Sequence, residues 1–175
     1  MPIQIPGKFP APYPAPVDIR KAGQADADAI SALLRESFAE FEPLYTPAAF
    51  AATVLAPPAI LARLGEGPVW IAESAAAPIG TVGAIRKSGT VTVRGMAVSP
   101  RARGLGIGKR LLDQVEQFAA GQSALALDLY TTAFLLRAIA LYRSAGFRFT
   151  GQTANPHGTE LLRMEKSQGT TFSLT

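Results

Sequence analysis

The sequence predicts one α/β or α+β domain around a mixed, mostly antiparallel sheet of about seven strands, flanked by about four helices. Three observations carry this. Apolar residues alternate along the chain between a period of two and helical spacing. Strand-like runs follow one another across short turn signals such as "KSGT", which marks a meander. A glycine-rich stretch, "RGLGIGKR", stands where a strand gives way to a helix. With 175 residues, 48% hydrophobic and 17% charged, the chain can bury one sizeable core and is too apolar for global disorder.

Residues 1–16, "MPIQIPGKFPAPYPAP", are dense in proline and read as an extended tail or surface strap. The domain is expected over 17–167, with a second tail over 168–175. "VDIR" is the first strand. In "ADADAISALLRESFAEF", Ile30, Leu33, Leu34 and Phe38 share one helical face, and Asp26 and Asp28 fall in the first turn, where the helix dipole favours carboxylates. A proline-interrupted helical region covers about 47–64. "PVWIAES", "APIGTVGAIRK" and "VTVRGMAV" are the next three strands. The helix over about 105–120 places Gly108, Leu111, Leu112, Val115, Phe118 and Ala119 on one face. "SALALDLY" follows as a strand with alternating leucines. Thr131 or Thr132 is the expected cap of helix "AFLLRAIALYRSA", and Gly146 its left-handed stop. "GFRFTGQ" and "TELLRMEK" close the chain as a hairpin around "NPHG".

Composition excludes several classes. With no cysteine there is no disulfide, thiol nucleophile or cysteine-held zinc, and one histidine rules out a histidine-rich metal site. No apolar run approaches the roughly 20 residues of a membrane span. The N-terminus lacks the pattern of a secretory signal, so neither a membrane partner nor secretion is expected, and a cytoplasmic location is the default. The net charge of +4 is scattered, except for Arg101, Arg103, Lys109 and Arg110. That cluster suits a local anion site better than a nucleic-acid stripe, so no nucleic-acid partner is expected.

Helix N-termini favour phosphate, and glycines there let it approach the backbone. A Walker A loop fails, because three residues separate Gly104 from Gly108 and Arg110 occupies the Ser/Thr position. A dinucleotide fingerprint fails as well: its third glycine would have to be Lys109 or Leu111. What remains is R-x-x-G-x-G, with Arg103, Gly106 and Gly108.

In these residues, and in "AVSPRARGLGIGKRLL" followed by "LYRSAGF" at Leu141–Phe147, the chain resembles the GNAT N-acetyltransferase superfamily over about residues 17–166. The resemblance implies a sheet splayed between its fourth and fifth strands, with Gly95 at the bulge that opens it. It implies acetyl-CoA as cosubstrate, no metal, and a site in which Arg103, Gly104, Leu105, Gly106, Ile107, Gly108 and Lys109 cradle the pyrophosphate. Met96, Ala97 and Val98 would pair with the pantetheine arm. It also implies direct transfer through a ternary complex to a primary amine on a small molecule or peptide. The Val98 amide would polarise the thioester carbonyl and Tyr142 would act as general acid.

Two family features are missing here. "GTVTVRGMAV" carries no glutamate, so a base would come from Glu73, Glu40, Glu42 or His157, or act through water. "TTAFLLRAIAL" carries no asparagine, leaving Thr131 or Thr132 as substitute polar contacts. The alternative expectation is a catalytically inert module that binds CoA, as a sensor does. "AEFEPLYTPAAF" and "TANPHGTE" are expected to wall the acceptor pocket, with Phe41, Leu44 and Tyr45 giving it an aromatic or apolar lining. Self-association is common in the family, so a homodimer is one arrangement the resemblance implies.

Overall fold

β-branched and aromatic residues at alternating positions build a seven-stranded sheet in the computed structural model, which describes residues 15–169. The strands are β1 (Val17–Lys21), β2 (Val69–Ser74), β3 (Ala77–Lys87), β4 (Thr90–Val98), β5 (Ala126–Thr131), β6 (Arg148–Ala154) and β7 (Leu161–Ser167). Their order in the sheet is β1-β2-β3-β4-β5-β7-β6. Every neighbouring pair is antiparallel except β4 and β5, which run parallel. The tail expected over 1–16 falls outside the described residues apart from its last two, as does most of the tail expected over 168–175.

Among the described residues there are five α-helices: α1 (Ala27–Phe38), α2 (Pro47–Thr53), α3 (Pro57–Glu66), α4 (Ile107–Gly121) and α5 (Leu136–Ser144). The helical region expected over 47–64 is thus two helices. Pro57 and Pro58 force the break: the residue before a proline is pushed out of the helical region, and Ala56 is extended (φ −71°, ψ 157°). Thr46 caps α2, accepting a hydrogen bond from the Ala49 amide.

The expected start of α5 needs correction. It begins at Leu136 with Leu135 at its N-cap, so neither Thr131 nor Thr132 caps it. The Phe134 ring is drawn instead against Phe41 and Tyr45, with centroids 6.2 and 4.9 Å away. Tertiary packing overrides helix propensity there. Gly146 ends α5 as expected, at φ 98°, with its amide bonded to the Arg143 carbonyl and that of Phe147 to Tyr142.

Two apolar layers cover the sheet. On one face Leu111, Leu112, Val115 and Ala119 of α4 pack against Trp70, Ala72, Val91 and Val93. On the other, Ile30 and Leu34 of α1, Phe50 of α2 and Ile60 of α3 pack against Val69, Ile71 and Ala97. Between them β4 changes parity. Val91 and Val93 face α4, but beyond Gly95 it is Met96 and Val98 that pack on that side, while Ala97 turns to the other. Gly95 causes this as a bulge at φ 61°, where the β3–β4 register shifts.

β4 and β5 pair only through Thr90–Thr92 and Ala126–Asp128, then part. Asp128 pins the fork. It accepts from Thr92 Oγ1 at 2.6 Å and from Arg163 of β7 at 2.8 and 3.1 Å.

Candidate active site

A cavity of about 660 Å³ opens where β4 and β5 separate. Its β4 wall runs from Thr92 to Val98, and the facing wall is Tyr130, Thr131 and Thr132. Ladder alternation decides what β4 presents to it. The Ser99 amide donates to the Ile79 carbonyl at 2.9 Å, so Ser99 and Ala97 spend their backbone groups on β3. The N–H groups of Met96 and Val98 therefore point toward the gap that β5 has vacated, where an extended chain could pair with them.

One end of the cavity is the glycine corner. Gly104 and Gly106 sit at φ 80° and 76°, and a side chain at either would meet nothing within 4 Å. The left-handed backbone, rather than crowding, is what calls for glycine there, and the space beside it is open. α4 starts at Ile107, so the amides of Ile107, Gly108 and Lys109 lack helical partners and point out of its N-terminus. Gly108 serves packing too: a Cβ there would lie 2.9 Å from a Leu141 methyl. This end suits a phosphate.

The residues expected in a cofactor site fall into place unevenly. Met96, Ala97, Val98, Arg103, Gly104, Gly106, Ile107, Gly108 and Lys109 line the cavity, whereas the Leu105 side chain is 49% exposed and does not. Arg103 is anchored, donating to the Ser37 carbonyl at 3.0 Å and pairing with Glu40. Lys109 pairs with Asp113 one turn along α4.

Tyr142 reaches the cavity from α5 and is only 6% exposed. Burial raises its pKa well above the usual tyrosine value, so the phenol stays protonated and can donate. Thr131 and Thr132 are buried on the opposite strand, and neither hydroxyl has a partner at hydrogen-bonding geometry. Thr132 nevertheless lies close enough to the Tyr45 hydroxyl to influence its titration, which leaves Thr131 as the hydroxyl with its bond unmade, a state that buried hydroxyls rarely keep.

The candidate bases lie elsewhere. Glu73 is tied to Arg20 across the β1–β2 pair. Glu40 holds Arg103 at the rim, and Glu42 sits exposed in the short 3₁₀ segment Ala39–Leu44. His157 is in the β6–β7 loop, where its backbone carbonyl accepts from Thr46 Oγ1. Among the described residues lining the cavity there is no carboxylate and no imidazole.

The far end is walled by Phe38, Phe41, Tyr45 and Thr53, as the expected aromatic lining requires for Phe41 and Tyr45. Leu44 instead is 56% exposed and borders a separate shallow cleft. Two residues that the sequence did not flag complete this end. Arg63 of α3 and Arg94 of β4 both line it, and a Cβ on Gly95 would lie 2.8 Å from Arg63 Nη1. Burial, with the neighbouring Arg94 charge, lowers the Arg63 pKa, while Glu66 opposes the shift. An arginine inside the otherwise apolar "VTVRGMAV" was the available signal.

The model of the acetyltransferase (GNAT) domain matches residues 65–149. The chain is 38% identical over 98 residues to N-acetyltransferase 8B of Rattus norvegicus, a match covering 53% of this chain and 44% of that protein. It is 36% identical over 85 residues to IAA acetyltransferase of Azospirillum brasilense, covering 49% and 55%. The chain thus spans about half the length of these curated relatives. Its fold is similar to that of PaiA N-acetyltransferase from Thermoplasma acidophilum in complex with coenzyme A, with TM-score 0.74, 18% identity and coverage of 87% and 99%. It is also similar to ribosomal-protein-alanine N-acetyltransferase from Brucella melitensis, with TM-score 0.69, 25% identity and coverage of 86% and 99%.

Proposed function

Because this chain carries a GNAT acetyltransferase domain, we propose that it transfers the acetyl group of acetyl-CoA directly to a primary amine within a ternary complex. One observation carries the reading. A single cavity joins the phosphate-ready glycine corner to the unpaired edge of β4 and to a buried, protonated Tyr142.

The pyrophosphate would rest on the amides at the start of α4, and the pantetheine arm would pair with the free edge at Met96 and Val98. A neutral amine then attacks the thioester carbonyl. As the N–C bond forms, the Val98 amide stabilises the developing oxyanion. The C–S bond breaks, the departing thiolate takes the Tyr142 proton, and the phenolate is reprotonated as the amine sheds its own proton to solvent. With no carboxylate or imidazole among the described residues lining the cavity, the amine must arrive neutral or lose its proton through water. An α-amine, with pKa near 8, is neutral far more often at pH 7 than a lysine amine near 10.4. The absence of a lining base therefore supports acceptors of the first kind.

Calorimetric titration with acetyl-CoA tests the first half of the proposal. The wild type is expected to bind, and Gly106→Glu, which puts a carboxylate where the phosphates would lie, is expected to abolish binding. A folded, cofactor-free wild type that does not bind overturns the reading. The second half is tested by release of CoA thiol across a panel of amines. Binding without release for any amine is the result expected of a non-catalytic CoA-binding module.

A further inference from the structure

The cavity is cationic at both ends, and the cofactor phosphates account for only one of them. The charged residues lining it are Arg63, Arg94, Arg103, Lys109 and Arg137. Arg103 and Lys109 belong to the glycine corner. Arg63 and Arg94 lie toward α3, on the sheet face opposite α4, where the acceptor must enter if the cofactor occupies the corner and the slot.

We propose that the acceptor amine carries a carboxylate beside it, as an amino acid does, and that Arg63 and Arg94 bind that carboxylate. This rests on the acetyltransferase reading.

The bonding of Arg94 gives the strongest support. Its Nη1 pairs with Glu66, but Nε and Nη2 are buried and have no partner. Those two nitrogens form one edge of the guanidinium, the fork that matches the two oxygens of a carboxylate. Buried guanidinium donors normally find acceptors, so an orphaned fork beside a cavity calls for one from a ligand. Arg63 supplies the second cation. Among the described residues it makes no salt bridge, and it reaches the site because Gly95 has no Cβ in its way. Glu66 offsets one of the two charges, which leaves a net positive pair.

The same charges act against other acceptors. A polyamine or a lysine-rich peptide would bring cations to a wall that, among the described residues, offers no lining carboxylate to receive them. The neighbouring Phe38, Phe41 and Tyr45 offer an apolar surface for the rest of the acceptor.

The test pairs molecules that differ only in the carboxylate. N-acetyl-L-phenylalanine and N-acetyl-L-phenylalaninamide are titrated calorimetrically, with and without CoA. Thiol release from acetyl-CoA is then measured with L-phenylalanine, L-phenylalaninamide and phenethylamine. The acid is expected to bind about tenfold tighter than the amide, and phenylalanine to be favoured in kcat/KM by a similar factor. Arg63→Gln should erase that preference while leaving CoA affinity at the wild-type value. Arg94→Lys keeps a charge for Glu66 but loses the fork, and should erase it too, with the melting temperature checked for each variant. Equal binding of acid and amide, or a preference that survives both substitutions, overturns the proposal. Failure of CoA itself to bind overturns the acetyltransferase reading instead, and the titration without CoA still judges the arginine pair alone.

Discussion

Tyr142 couples packing to chemistry. Phe147 lies against it, with ring centroids 5.9 Å apart, and the rest of its surroundings keep water off the phenol. Desolvation raises its pKa, so the proton is present at neutral pH and remains well into the alkaline range. A group protonated throughout cannot produce a falling limb in the pH profile near neutrality. Removing only the hydroxyl isolates the proposed proton transfer: Tyr142→Phe is expected to slow thiol release by about 10²-fold while leaving acetyl-CoA affinity close to wild type. Steady-state kinetics with parallel calorimetry checks both parts, and an unchanged rate would leave the hydroxyl with a packing role only. Position before a helix-stopping glycine placed this residue near a helix end, and only the resemblance carried by "LYRSAGF" pointed to it as a site residue. Arg63 and Arg94 were not legible as site residues, since their pairing depends on a bulge and on a helix contributed from another part of the chain.

Turns separate the elements that the sequence announced from those it did not. The β3–β4 hairpin was legible, because Gly89, at φ 80°, supplies the left-handed backbone that a tight turn needs. The β2–β3 turn makes the same demand of Ala75 and Ala76, at φ 50° and 60°, and nothing in "SAAAP" advertises it. An alanine held there is strained by roughly 1–2 kcal/mol, against an entropic cost of about 0.5–1 kcal/mol for glycine. Ala76→Gly is accordingly expected to stabilise the protein by about 1 kcal/mol, raising the melting temperature by roughly 2–4 °C without altering cofactor affinity. A lower melting temperature would mean that the turn relaxes at no cost in the wild type. The α5 boundary escaped the sequence for a different reason. Residues 133–135 have good helix propensity, but Phe134 is recruited by rings from the segment after α1.

At the scale of the molecule, the sheet divides two apolar layers, and the cavity lies where β4 and β5 leave the sheet incomplete. The glycine end of that cavity was legible because a contiguous motif encodes it. The acceptor end was not, because α1, α3 and the loop after β5 each supply part of it. At the far edge of the same sheet, charge adds to apolar packing, for Val17 and Ile19 of β1 rest on the core that α4 covers. Arg20 of β1 donates to both oxygens of Asp26, at 2.8 and 2.9 Å, and to Glu73 of β2, joining the edge strand to its neighbour and to the turn that leads into α1. The Arg20 guanidinium, aided by the Gly23 amide, lowers the Asp26 pKa to about 2, although desolvation opposes the shift. A carboxylate depressed in the folded state contributes stability above its unfolded pKa of about 3.9 and loses that contribution as pH falls toward its folded value. Solvent screening limits the contribution to about 1 kcal/mol. Asp26→Asn should therefore be less stable than wild type by that amount at pH 6, and the difference should shrink between pH 4 and pH 2. Urea unfolding of both proteins across that range measures it. A gap that does not close on acidification would mean that Asp26 acts through its hydrogen bond to Gly23 rather than through its charge.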